Sequence, residues 1–120
     1  MKKVIAKSFT SSQIAINDAA FSATVTAADF DFSSFSMAAI YVTTGTVASG
    51  SPTMTPKLQV KDPTTGHYFD HTTTSPTIST AGDFKFELGS IAAQTVRVVS
   101  TFGGSGSFSH CFLTLLGKSP

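Results

Sequence analysis

Every periodic apolar signal in this chain has period two. "KLQVK" sets Leu58 and Val60 against Lys57, Gln59 and Lys61, and "DFKFEL" sets Phe84, Phe86 and Leu88 against Asp83, Lys85 and Glu87. "TVRVVSTF" alternates Val96 and Val98 with Arg97, and Phe102 continues the apolar side. Successive side chains point to opposite faces only in an extended chain, so these segments are half-buried strands. Helical spacing is nowhere sustained; the best exception, "AADFDFSSF" at 27–35, allows one short turn at most.

Between the strands lie clusters of turn-forming residues: "TTGTVASGSPT", "DPTTG", "STAGD" and "GGSGS". Strands are expected at roughly 3–9, 13–17, 20–27, 36–43, 54–61, 67–71, 83–88, 94–102 and 107–116. That regularity predicts an all-β chain: a single antiparallel β-sandwich, jelly-roll-like, of about eight strands. Splitting 120 residues would leave two undersized cores, so 1–120 reads as one domain. Residues 1–16 read as an N-terminal arm, because Lys2, Lys3 and Lys7 accompany an alternating "VIAKSF" able to add a strand to a neighbour.

The stretch "KDPTTGHYFDH" brings His67 and His71 close in sequence, with Asp70 beside the second and Asp62 upstream. Pro63 presets a turn and Gly66 accepts a positive φ, so His67 to His71 is the returning strand of a hairpin. Two residues four apart on a strand are about 13 Å apart at about 3.3 Å per residue. One zinc holds its ligands at about 2 Å, so the pair is not expected to bind metal without help from a distant His110 or Asp83. Asp29 and Asp31, flanking Phe30, would supply thin calcium coordination and read as a loop rim. "GGSGS" joins two strands and is no phosphate loop, and no nucleophile elbow is present. No catalytic residue, metal or cofactor is expected.

Composition narrows the partners. Only 12% of residues are charged, and 17 Ser and 18 Thr clothe the surface instead. Short hydroxyls shed water against a neighbour without desolvating ions. The net charge is +1 with no basic stripe, so nucleic acid is not expected. No run approaches the ~18 apolar residues of a membrane span, and "VIA" is cut off by Lys7 before an export core forms. The lone Cys111 sits in "SFSHCFLTLL" and reads as a buried structural thiol of a protein made in a reducing cytoplasm.

That last strand is apolar on both faces. Strict alternation puts Cys111, Leu113 and Leu115 on one side and Phe108, Phe112 and Leu116 on the other. With the first set in the core, the second needs cover from another subunit, extended through Val99 of the neighbouring strand. Phe30, Phe32 and Phe35 in "FDFSSF" either close the sandwich end or seat a partner. With 11 Phe, 2 Tyr and no Trp, the aromatics suit cores and buried interfaces better than sugar platforms.

From Tyr41 to Lys118, the order of "TVASGSPTMTPKLQV", a polar turn with an aromatic strand, and "QTVRVVSTFGGSGSFSHCFLTLLGK" resembles small β-sandwich virion proteins of tailed bacteriophages. The resemblance implies a non-enzymatic head decoration, cement or fibre component located on the virion surface. The leading expectation is a symmetric homo-oligomer, a trimer, that docks on the major capsid protein through Lys2, Lys3 and Lys7 and stabilises the head. The alternative is a tail or fibre module recognising a host-surface glycan.

Overall fold

The computed structural model describes residues 10–71 and 77–119. Ten strands and no helix occur among them: β1 (Thr10–Phe21), β2 (Val25–Thr26), β3 (Phe30–Asp31), β4 (Met37–Thr44), β5 (Val47–Ser49), β6 (Pro52–Lys61), β7 (Tyr68–Asp70), β8 (Gly82–Ser90), β9 (Thr95–Gly104) and β10 (Ser107–Lys118). They form two five-stranded antiparallel sheets. The first runs β1-β10-β4-β8 with β5 also on β10, and the second runs β2-β9-β6-β7 with β3 also on β9.

The short strands are continuations. β4 and β5 pair successive parts of β10, and β2 and β3 pair successive parts of β9. Counted as interrupted strands, they leave eight positions, each sheet drawing alternately from the two ends of the chain. This is jelly-roll order, as the alternation predicts, with more strand fragments than the expected eight.

Between the sheets lie Ile40, Val42, Met54, Leu58, Val96, Val98, Leu113 and Leu115, all essentially inaccessible to solvent. Pro56 occupies the interior of β6 without harm. Met54 and Leu58 direct their backbone groups to the side facing Ile78 and His71, away from β9. By alternation the missing Pro56 N–H points that way too, so the β9 ladder loses nothing.

β1 and β10 depart from regular pairing, and the departures set the faces. Ile14 pairs with Thr114 but Ile16 with Leu113, so β1 carries an extra residue at Ala15. Ile14 therefore points outward and Ile16 into the core, although they are two residues apart. Further on, Ala19 pairs with Cys111 and Phe21 with Phe108, giving β10 an extra residue in turn. Asp18 and His110 take positive φ of 48° and 49°, and His110 Nδ1 lies 2.9 Å from Asp18 Oδ1. Asp and His are among the non-glycine types found most often in that conformation.

The consequence corrects the alternation argument. Phe108 and Cys111 both face the core, and Phe108 is 0% exposed. "FDFSSF" is likewise divided. Phe32 is fully buried, while Phe30 and Phe35 are half-buried, stack at 6.0 Å, and close the sandwich end. At the opposite end, Gly106 at φ 83° lies where a Cβ would collide with the Ser49 carbonyl. That close approach lets the β9–β10 hairpin lie against the β5–β6 connection.

Candidate docking face

The outer surface of the first sheet is built from residues that alternate with the core positions. Pairing fixes its rows across β1, β10, β4 and β8. One row is Ile14, Thr114, Tyr41 and Lys85. The next is Ser12, Leu116, Ala39 and Glu87, and on the other side lie Phe112, Thr43 and Asp83. Ile14 is 61% exposed, Met37 44%, and Tyr41 and Phe112 40% each. These are four of the six large apolar side chains exposed among the described residues. A depression of about 340 Å³ opens over Ala39, walled by Met37, Tyr41, Leu116 and Lys118. Charge on this face is carried mainly by β8, where Lys85 pairs with Glu87 at 3.0 Å and Asp83 accepts a 2.6 Å bond from the Thr43 hydroxyl, with Lys118 at the end of β10 and Asp18 on β1 besides.

The outer surface of the second sheet is polar and cross-linked. Arg97 lays its guanidinium 3.4 Å from the centre of the Tyr68 ring and donates through Nε to Gln59 at 2.8 Å. Gln59 donates to Asp70 at 2.9 Å, and Lys57 reaches the same carboxylate at 3.2 Å. Asp29 accepts from the Tyr68 hydroxyl and pairs with Lys61 at 3.3 Å. The hydrogen bond from Tyr68, helped by Lys61, holds the Asp29 carboxyl below the ordinary carboxylate range. Asp70 is lowered by Gln59 first and Lys57 second.

The remaining candidates resolve individually. Asp62 caps its own turn, accepting from Thr64 N–H and the Thr65 hydroxyl, and Gly66 has φ 77° as the turn requires. His67 returns its carbonyl to Asp62 N–H, and His71 N–H donates to Leu58. Asp31 caps Ser33 and does not join Asp29, which is engaged by Tyr68 and Lys61. No cluster of three or more metal-ligating side chains occurs among the described residues. Cys111 is buried, and burial pushes its thiol up. Phe112 and Leu116 do face outward. Phe32 and Phe108 leave the set of contact candidates, being interior to one chain. Val99 is buried too. Lys2, Lys3 and Lys7 lie outside the described residues. Ile14, Met37 and Tyr41 are contact candidates that sequence reasoning missed, Ile14 because alternation groups it with Ile16.

No family model matches the chain, and no curated protein matches it in sequence. Its fold is shared with solved structures. The SPBc2 prophage-derived protein YomS aligns over 98% of this chain and 100% of its own, with TM-score 0.60 at 13% identity. The D431N mutant VP2 protein of infectious bursal disease virus, in T=1 particles, gives TM-score 0.58 at 10% identity over 92% of this chain. The Gx strain of that virus gives 0.57 at 12% identity over 95%. This chain spans 32% of the length of each viral chain. At such identities the likeness establishes a common sandwich and nothing finer.

Proposed function

We propose that the chain is a non-enzymatic structural component of a bacteriophage virion: a decoration or cement protein that binds the outer head surface as a symmetric homo-oligomer. The observation that carries this reading is the outer face of the first sheet, whose apolar side chains stand exposed on a well-packed monomer. Exposed patches of this kind mark interaction surfaces. The full-length match to a prophage-derived protein and the match to a viral particle protein support a virion setting. The mechanism is mechanical. Bridging adjacent shell subunits adds interface that resists internal pressure, and several weak contacts around a symmetry axis sum to strong avidity. The major capsid protein is the proposed partner, with Lys2, Lys3 and Lys7 as the docking charges.

A glycan-binding tail module fits less well. Sugar recognition uses an open aromatic face beside free polar groups. Both tyrosines have cations over their rings: Tyr68 has Arg97, with Lys61 5.7 Å from its centre, and Tyr41 has Lys85 at 6.0 Å. The test is co-sedimentation with purified expanded heads, beside a glycan array. Saturable binding to heads that is lost on deleting residues 1–9, which spares β1, is the expected outcome. Glycan binding with no head binding would replace this reading with the alternative.

A further inference from the structure

We infer that the outer face of the β1-β10-β4-β8 sheet packs against the same face of a second copy, across a twofold axis running parallel to the strands between β10 and β4. This deepens the homo-oligomer part of the proposed function and rests on it. It also makes a dimer the basic unit, in place of the trimer expected from the sequence.

The argument lies in the register. In three successive rows across β10 and β4, a large side chain sits beside a small one, and the large one changes strand from row to row; the fourth row, at the sheet end, sets Lys118 beside Met37. Phe112 pairs with Thr43, Thr114 with Tyr41, and Leu116 with Ala39. A twofold axis between these strands exchanges β10 for β4 without moving the rows. Phe112 then lands on the partner's Thr43, Tyr41 on its Thr114, and Leu116 in the depression over its Ala39. In these three rows each knob meets a hole, and Met37 meets the aliphatic stem of Lys118.

The flanking strands obey the same operation, since β1 comes to lie over the partner's β8. Ile14, the most exposed of the apolar side chains, meets the aliphatic stem of Lys85. Ser12 meets Glu87, a hydroxyl donor facing a carboxylate. In these two rows no like charges oppose each other; at the β1 bulge across from Phe112, Asp18 comes toward the second copy's Asp83, with His110 2.9 Å away as its counter-group. The other in-plane axis, across the strands through the Tyr41 row, would stack Lys85 on Lys85 and Phe112 on Leu116. Face-to-face sheets with roughly aligned strands are an established packing class, about 10 Å apart.

Size is adequate as well. Four strands about 4.8 Å apart and seven residues of about 3.3 Å give a face of roughly 20 by 25 Å. That projected area, about 500 Å² from each partner, matches the ~1,000 Å² in total that a specific interface clears, and side-chain relief adds to it.

The experiment pairs mass with cross-linking. Wild-type protein should run at twice the 12.5 kDa chain mass by light scattering. Phe112→Asp and Ala39→Arg, one removing a knob and one filling a hole, should each raise the dimer dissociation constant by at least ~100-fold. For geometry, Ile14→Cys chains are mixed with Lys85→Cys chains and treated with a bis-maleimide shorter than the ~14 Å of three strand spacings. Cross-links should form in the mixture and in neither variant alone, the buried Cys111 being common to all. A monomeric wild type overturns the proposal, as does an oligomer unaffected by both surface substitutions. Cross-linking of Lys85→Cys alone overturns the axis. Loss of head binding with an intact dimer would count against the capsid reading and leave this interface standing.

Discussion

The two outer faces of the sandwich are made by the same rule and finished in opposite ways. On the β2-β9-β6-β7 side, outward positions carry Lys57, Gln59, Lys61, Tyr68, Asp70 and Arg97, and each polar head has a partner in the same chain. On the β1-β10-β4-β8 side, outward positions carry Ile14, Phe112, Leu116, Tyr41 and Met37, and the charges lie at its margins, on β8, at Lys118 and at Asp18. A face whose hydrogen bonds are satisfied internally offers a partner little, because docking would first break them. A face of bare apolar side chains gains by being covered, at about 25 cal/mol per Å² removed from water. The difference separates a surface that serves the monomer from one that serves an assembly.

The largest expected effect tests where the boundary between core and docking face falls on β10. Phe108→Ala should destabilise the fold by about 3–5 kcal/mol, the range for a buried Phe truncation. Phe112→Ala, four residues along, should change monomer stability by no more than about 0.5 kcal/mol. Urea titrations at a protein concentration low enough to dissociate any dimer measure both. Equal losses would mean that Phe112 belongs to the core and that the apolar face is not a separate surface.

That pair of residues also measures how much of the molecule was legible in the sequence. Period-two alternation set the fold class, the partition of β6, β8 and β9 into two faces, and the turn at Asp62 to Gly66. The departures from that alternation came from bulges. Strict alternation joins Phe108 to Phe112 and Ile14 to Ile16, whereas the structure separates both pairs. The β1–β10 bulges insert residues without a glycine or proline to announce them, and there Asp18 and His110 accept the left-handed conformation. β3 and β5 were unreadable for another reason: at two and three residues they show no period of their own, and long partners define them. The polar network was equally hidden, since Asp29 meets Tyr68 and Lys61 only once the sheet has formed.

A middle-sized effect is expected on the polar face. Arg97→Ala removes both the stack on Tyr68 and the bond to Gln59. Stability should fall by about 1–2 kcal/mol, from a half-buried cation–π contact and one hydrogen bond to a charged group. Oligomer mass should stay as it is in wild type. If Arg97→Ala dissociates the assembly while leaving the fold intact, the roles assigned to the two faces are exchanged.

The smallest effect is a pH dependence that belongs to the polar face. Asp29 and Asp70 both titrate below the ordinary 3.8, Asp29 because Tyr68 and Lys61 favour its charged form and Asp70 because Gln59 and Lys57 do. A carboxyl whose folded value is depressed binds its proton more readily in the unfolded chain, so stability rises with pH through this range. The contribution is fully present above about pH 5, where the unfolded chain is ionised as well, and disappears as pH falls through the lowered folded values. Both groups are well exposed, and solvent screening keeps the contribution small. Comparing wild type with the double variant Asp29→Asn, Asp70→Asn by urea midpoint from pH 7 to pH 3 isolates it. The two curves should differ near neutrality and converge in acid, while light scattering near neutrality finds the variant as dimeric as wild type. A gap that widens in acid would show that these carboxylates strain the folded face instead of fastening it, and the contrast between a zipped face and an open one would fail at its polar end.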